Sequence, residues 1–308
     1  MPRMEPADEL LLIGAAPGWT SRGLQRAAAH GELARLAPGV YVDAARFSEM
    51  RVEERALLRA HAYARWSPGS VLSHRSAALL HGMPLIAPPE TPEIVRPALG
   101  RGGAREGVRR RATSSPVEPV MIGPISVVPL ERTLVDLAAS LPLRESLAPL
   151  DAFLRDGGNR DQLLNLLASI TARGHRRAER AIRLADPRAA NAGESLSRAT
   201  IIELGFPVPE LQVGVPGMAA ETDFAWLAYG VRGELDGFGK YSETRYTNGR
   251  SAAEVVVAEK RREDAIRAAT SHRFARWSFE EALRAHPLRS ILLQAGLPQV
   301  RSRGGGRR

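Results

Sequence analysis

The stretch Glu221-Thr-Asp223-Phe-Ala-Trp226, followed closely by Val231-Arg-Gly-Glu234-Leu-Asp236-Gly-Phe-Gly-Lys240, limits the possible fold more than any other part of the chain. Both runs are short and strand-like. A Tyr229-Gly230 turn joins them, and a Gly-Phe-Gly breaker ends the second, which is the pattern of a β-hairpin. Alternation along a strand sends Glu234 and Asp236 to one face and Val231, Gly233 and Leu235 to the other. If the strands pair, Asp223 joins the acidic face and three carboxylates crowd one spot. Like charges so close repel unless protons or a cation neutralise them. A hard, oxygen-binding cation such as Mg²⁺ (or Mn²⁺) suits that cluster. Lys240 lies just beyond, able to hold a water or an anionic phosphate. The competing expectation is a solvated acidic face, the commoner arrangement in an arbitrary hairpin.

Charge narrows the partners. Basic residues outnumber acidic ones, 43 against 34, for a net charge of +9 and a pI near 10.7. A surplus of that size favours a polyanion, DNA first and an acidic membrane second. The surplus is mostly arginine, which forks onto phosphate and guanine. The sequence contains no cysteine, excluding disulfides and thiolate zinc sites. No apolar run approaches membrane-spanning length, and the expectation is a soluble cytoplasmic protein without a membrane partner.

Read in order, Thr20-Ser21 caps a helix over Arg22–His30 that Gly31 stops. Two short strand-like runs follow, Leu33–Leu36 and Gly39–Val42. A helix followed by a small hairpin is the order of a winged helix-turn-helix. In it Arg22, Gln25 and Arg26 face a major groove and Arg35 lies on the wing near phosphate. A small packing unit with an incidental basic face is the other reading. Residues 51–66 form an Arg- and Ala-rich helix. Glu93–Arg96 and Ile125–Pro129 read as strands around an Arg-rich loop, Arg101–Arg111, that either contacts phosphate or only solubilises. His74 and His81 share one helix face; without a nearby carboxylate or cysteine they are read as packing or capping residues, not a metal pair. Arg132 and Asp136 form an i,i+4 pair.

The segments Gly18-Trp-Thr20, Leu33–Val42, Leu72-Ser-His74-Arg-Ser-Ala-Ala-Leu-Leu-His81 and Val128-Pro-Leu-Glu131-Arg132-Thr-Leu-Val-Asp136 together resemble the AbiEi antitoxins of type IV toxin–antitoxin systems, over about residues 10–155. The resemblance implies DNA binding with transcriptional autorepression, and as partners an operator or a cognate toxin.

The second half gives a helix with Glu194, a strand, the central hairpin, a charged helix over Ala253–Ala269 and the Arg273–Trp277 strand. Ser278-Phe-Glu-Glu281 opens a further helix with a capping box. This order, with Gly193-Glu194-Ser, Pro209-x-x-Gln212, Thr222-Asp223-Phe-Ala-Trp226 and Gly233-Glu-Leu-Asp-Gly237, resembles the Vsr-like endonucleases of the PD-(D/E)XK fold, over about residues 176–290. The resemblance implies Mg²⁺-dependent hydrolysis of DNA phosphodiesters. Asp223 and Glu234 would then be metal ligands and Glu194 or Asp236 would complete the shell. A lysine usually sits two residues after the second acid; that position is Asp236 here, so Lys240 is the substitute. Arg262 and Arg276 are the candidate phosphate contacts.

The expected organisation is thus an α+β winged helix-turn-helix (1–66), a helical/β middle domain (67–175), a C-terminal α/β restriction-endonuclease-like domain (176–296) and a basic tail (297–308). Two functions compete: a DNA-binding regulator fused to a Mg²⁺-dependent nuclease, or a non-enzymatic DNA-binding protein built on a nuclease-like scaffold.

Overall fold

A computed structural model of the 308-residue chain describes residues 9–95, 103–105, 107–113, 115–170, 173–236 and 270–299. These are mixed α/β, with several sheets flanked by helices. They fall into two compact units, 1–141 with 159–183, and 142–158 with 184–308. Among the described residues, no helix is long and apolar enough to cross a membrane.

In the first unit, α1 (Ser21–Ala29) starts where the Thr20 hydroxyl accepts from Gly23 N at 3.0 Å, leaving Leu24 and Ala27 buried. They pack with Leu33 and Tyr41 against a small sheet of β1 (Leu11–Leu12), β2 (Leu33–Ala37) and β3 (Val40–Asp43), in the order β1-β3-β2. A second sheet has six strands: β4 (Val71–Leu72), β5 (Glu93–Val95), β6 (Gly103–Arg105), β7 (Val108–Arg111), β8 (Val120–Ile122) and β9 (Ile125–Val127). Their order is β6-β7-β5-β4-β9-β8. The antiparallel β6–β7 and β8–β9 hairpins each add to the centre through a parallel contact, β7 on β5 and β9 on β4. The expected Arg101–Arg111 loop is therefore largely a hairpin. The helix α3 (Val52–Trp66) serves both sheets: Ala62 packs with Ala37 and Val40, while Ala60 and Tyr63 pack beneath β4, β5 and β9. A boundary at residue 66 would cut between segments that share this helix, so residues 1–66 and 67–141 form one unit.

The second unit is built around α9 (Ala192–Glu203), whose residues 193–201 are all buried. A helix enclosed on every side needs neighbours all round. One is the four-stranded sheet β10 (Glu210–Gly214), β11 (Glu221–Trp226), β12 (Val231–Asp236) and β13 (Arg273–Ser278), in that order. The first three strands form an antiparallel meander, and β13 lies parallel to β12. Trp277 Nε1 donates to Ser197 Oγ at 2.9 Å, pinning the sheet to the helix. Gly233 makes that approach possible, since a Cβ there would come within 2.7 Å of the Trp277 ring.

The other neighbour is α6 (Leu143–Arg155), which comes from the segment expected in the middle domain. Its Asp151 is fully buried and receives both oxygens' worth of contact from Arg198 of α9, at 2.8 and 2.9 Å. Arg198 also donates to Leu184 O at 2.6 Å, and Asp186 N donates to Asp151 Oδ1 at 2.7 Å. Arg144–Glu203, at 2.6 Å, ties the far ends of the two helices. Breaking a buried pair by removing one partner strands the other charge. Arg198→Leu is therefore expected to lower unfolding stability by about 3–5 kcal/mol in denaturant titration, while the double variant Asp151→Leu with Arg198→Leu recovers part of it.

Candidate functional site

The expected hairpin forms, with Phe224 opposite Gly233, Ala225 opposite Arg232 and Trp226 opposite Val231. Residues Leu227–Tyr229 make a single 3-10 turn, and Gly230 closes it at φ 58. The paired register ends at Phe224. Beyond it Asp223 turns its carboxylate onto the neighbouring backbone, where Oδ2 accepts from Leu235 N at 2.9 Å. Asp223 thus sits where the two strands cease to pair.

Glu194 comes to the same place from α9. Asn191 caps the helix, accepting from Glu194 N at 3.0 Å, which sets Glu194 in the first turn. Its carboxylate accepts from Ala190 N (2.8 Å), Asn191 Nδ2 (2.7 Å) and Gln212 Nε2 (2.9 Å). Gln212 is a strand residue with a left-handed backbone, φ 50. These donors favour the ionised carboxylate. Burial opposes them most, and the adjacent Asp223 charge opposes them further, so the Glu194 pKa is pushed up to about 7. The sequence drew attention to Glu194, but Asn191 and Gln212 were missed as its partners. The Asn191-x-x-Glu194 spacing, that of a helix N-cap and its third residue, was the readable signal.

Glu234 and Asp236 are held differently. The register sets Glu234 beside Arg276 on the parallel strand β13. Arg276 Nη2 lies 3.1 Å from Glu234 Oε2, and its Nε lies 3.3 Å from Asp236 Oδ1. Glu234 is buried and Asp236 exposed. The acidic pair on β12 therefore has a cation from the protein itself, and Arg276 is engaged by carboxylates instead of standing ready for phosphate. Among the described residues, no group of three or more His, Cys, Asp or Glu side chains could hold a metal ion. The convergence expected of Asp223, Glu234 and Asp236 is divided: Asp223 neighbours Glu194, and the other two share Arg276. Lys240 and Arg262 lie outside the described residues.

Arg232, singled out by no motif, is 2% exposed in the middle of the sheet. Its guanidinium donates to Val213 O (3.1 Å), Thr222 Oγ1 (2.9 Å) and Gly214 O (3.1 Å), so it braces β10 and β11 from β12. In the first unit Arg22, Gln25 and Arg26 are exposed on α1, opposite its buried Leu24 and Ala27, and Arg35 is exposed on β2.

No protein-family model matches the chain. Two uncharacterized proteins, MT2308 and Rv2248, from Mycobacterium tuberculosis strains CDC 1551 / Oshkosh and ATCC 25618 / H37Rv, are each 38% identical over 99 residues. That match covers 30% of this chain and spans only 36% of each relative's length. The crystal structure of the RV2827C protein from Mycobacterium tuberculosis is similar at a TM-score of 0.35 and 16% identity, covering 55% of this chain and 66% of that one.

The Glu194 environment has a measurable consequence. Its folded pKa, about 7, stands above the ordinary 4.5, so the group favours folding fully below the lower value and loses that contribution as pH rises through the higher. The difference amounts to on the order of 3 kcal/mol. Glu194→Gln, which resembles the protonated acid, is expected to gain stability relative to wild type between about pH 5 and pH 8, measured by denaturant unfolding. A pH-independent difference would show that Glu194 ionises normally.

Proposed function

We propose that the chain is a DNA-binding protein, resembling an AbiEi-type antitoxin or transcriptional regulator, whose second unit is a Vsr-like nuclease domain acting on DNA phosphodiesters with Mg²⁺ or Mn²⁺. The observation that carries the second half is the meeting of Glu194 and Asp223 where β11 and β12 part. A helix-borne acid and a hairpin acid in a meander with a parallel fourth strand is the arrangement that the PD-(D/E)XK reading requires. The raised proton affinity of Glu194 supports it, since paired carboxylates lacking a cation hold protons instead.

The residues that fit a divalent cation are Glu194 and Asp223, both hard oxygen donors. Glu234 and Asp236 fit only if Arg276 gives them up. A bound metal would supply Lewis acidity and an activated water. The chain's own part is to hold Asp223 through Leu235 N, to hold Glu194 through Asn191 and Gln212, and to keep Glu234 beside Arg276. A specific observation favours the second reading, a non-catalytic scaffold: Arg276 already neutralises the two acids of β12. Fold alone does not decide between them.

Nicking of supercoiled plasmid with Mg²⁺ and Mn²⁺ separates the readings. Wild type is expected to nick, and Asp223→Ala to lose at least about a hundredfold of the rate. Wild type that binds DNA yet never nicks belongs to the scaffold reading.

DNA binding rests on the net charge of +9 and on the outward Arg22, Gln25 and Arg26 of α1, with Arg35 on the neighbouring hairpin. Arg22→Ala combined with Arg26→Ala is expected to weaken binding and to reduce the salt slope by about 2 if both contact phosphate. A slope equal to that of wild type removes both residues from the interface.

A further inference from the structure

The first unit carries a charged cluster that the proposed function does not use. His74 opens α4 (His74–Leu80) with φ 49 and is only 7% exposed. A bulky residue in the left-handed region is strained and persists where its surroundings over-determine it; such residues gather at functional sites. Arginines on three different elements surround it: Arg75 on α4, Arg111 on β7, and Arg132 on α5 (Leu130–Ser140). Two carboxylates complete the cluster, Glu93 on β5 and Asp136 on α5. Glu93 accepts from Arg75 N at 2.9 Å and pairs with the Arg111 and Arg75 guanidiniums. Asp136 takes Arg132 Nε at 3.0 Å, and Arg132 Nη2 donates to Thr113 at 3.2 Å.

Both acids are thus engaged by guanidiniums, and three cations against two anions leave the cluster at +1 with His74 neutral. The field at the imidazole is that of the arginines. Burial first, then Arg111, Arg132 and Arg75, push its pKa down to about 3. Its Nδ1 lies 3.3 Å from Ser73 Oγ. The buried Arg111 Nε has no hydrogen-bond partner among the described residues. The Arg75, Arg111 and Arg132 side chains are 16%, 19% and 11% exposed, so the cluster reaches solvent. His81, by contrast, is fully accounted for by its bond to Val128 O at 2.8 Å. A structural ion-pair network would need neither a strained histidine nor a surplus cation. An oxyanion would use both, because guanidinium forks match phosphate oxygens.

We infer that His74, Arg75, Arg111 and Arg132 form a phosphate-binding site in the first unit. A bound phosphate reverses the field at His74, and the imidazole then protonates and donates to it. The phosphate comes either from a free phosphate group or from a phosphodiester backbone. The full chain, labelled with ¹⁵N-histidine, is titrated with inorganic phosphate and, separately, with a short DNA duplex, at ionic strength matched with chloride. The expected result is a saturable shift of the His74 ring signals toward the imidazolium form. A shift with inorganic phosphate assigns a free phosphate group; a shift with duplex alone assigns the backbone. In calorimetry with whichever ligand responds, Arg111→Gln is expected to bind at least about tenfold more weakly. Should that variant fail to fold, His74→Gly tests the same point. It relieves the left-handed strain, so its Tm is expected to hold or rise while its phosphate affinity falls. A wild-type His74 ring that responds to neither ligand overturns the inference.

Discussion

Asp151 and Arg198 meet where neither reaches water, and the second unit depends on that contact. A buried carboxylate resists ionisation; burial raises the Asp151 pKa, and Arg198 is the largest influence drawing it back. Because the partners lie 47 positions apart, their meeting draws α6 out of the intervening sequence and lays it along α9. With α6 on one side and the Trp277-bearing sheet on the other, α9 has no freedom to slide. Its first turn, with Glu194, is thereby fixed beside the point where the hairpin strands part. The small residues Gly193, Ser195, Ser197 and Ala199 let the neighbours approach closely, and the sheet's own Gly233 does the same from its side.

The distribution of acids follows from that placement. Four carboxylates were candidates for one site, and the protein separates them by how each charge is compensated. Glu234 and Asp236 have the guanidinium of Arg276, which the parallel register of β12 and β13 brings alongside. Glu194 and Asp223 have only neutral donors, so repulsion and burial are relieved by proton uptake at Glu194. The first unit treats histidine in the opposite way. There a surplus of arginines keeps His74 neutral. Each case is a titratable group moved from its ordinary range by charges that the fold, not the local sequence, brings near.

Much of the secondary structure was legible because it depends on local chemistry. Thr20 and Ser278 cap their helices as their positions suggested, Arg132 and Asp136 pair one turn apart, and the hairpin from Glu221 to Asp236 forms around its glycine turn. What was hidden depends on long-range pairing. The six-stranded sheet uses strands as short as Val71–Leu72, too brief to show any periodicity, and it turns an apparent loop near Arg109 into a hairpin. The assignment of α6 to the second unit rests on Asp151, which in the sequence is one acid on one helix. Arg276 looked available for phosphate because nothing local reveals its register with Glu234. The left-handed backbone of His74 has no sequence mark at all, since the residue is not glycine, asparagine or aspartate.

The central claim is that Glu194 and Asp223 share a site short of positive charge. A ¹³C-carboxyl NMR titration of Glu194 measures it directly. A midpoint near 7, falling when Asp223 is replaced by asparagine, is the result this account predicts. A midpoint in the ordinary carboxylate range, unmoved by that replacement, would contradict it.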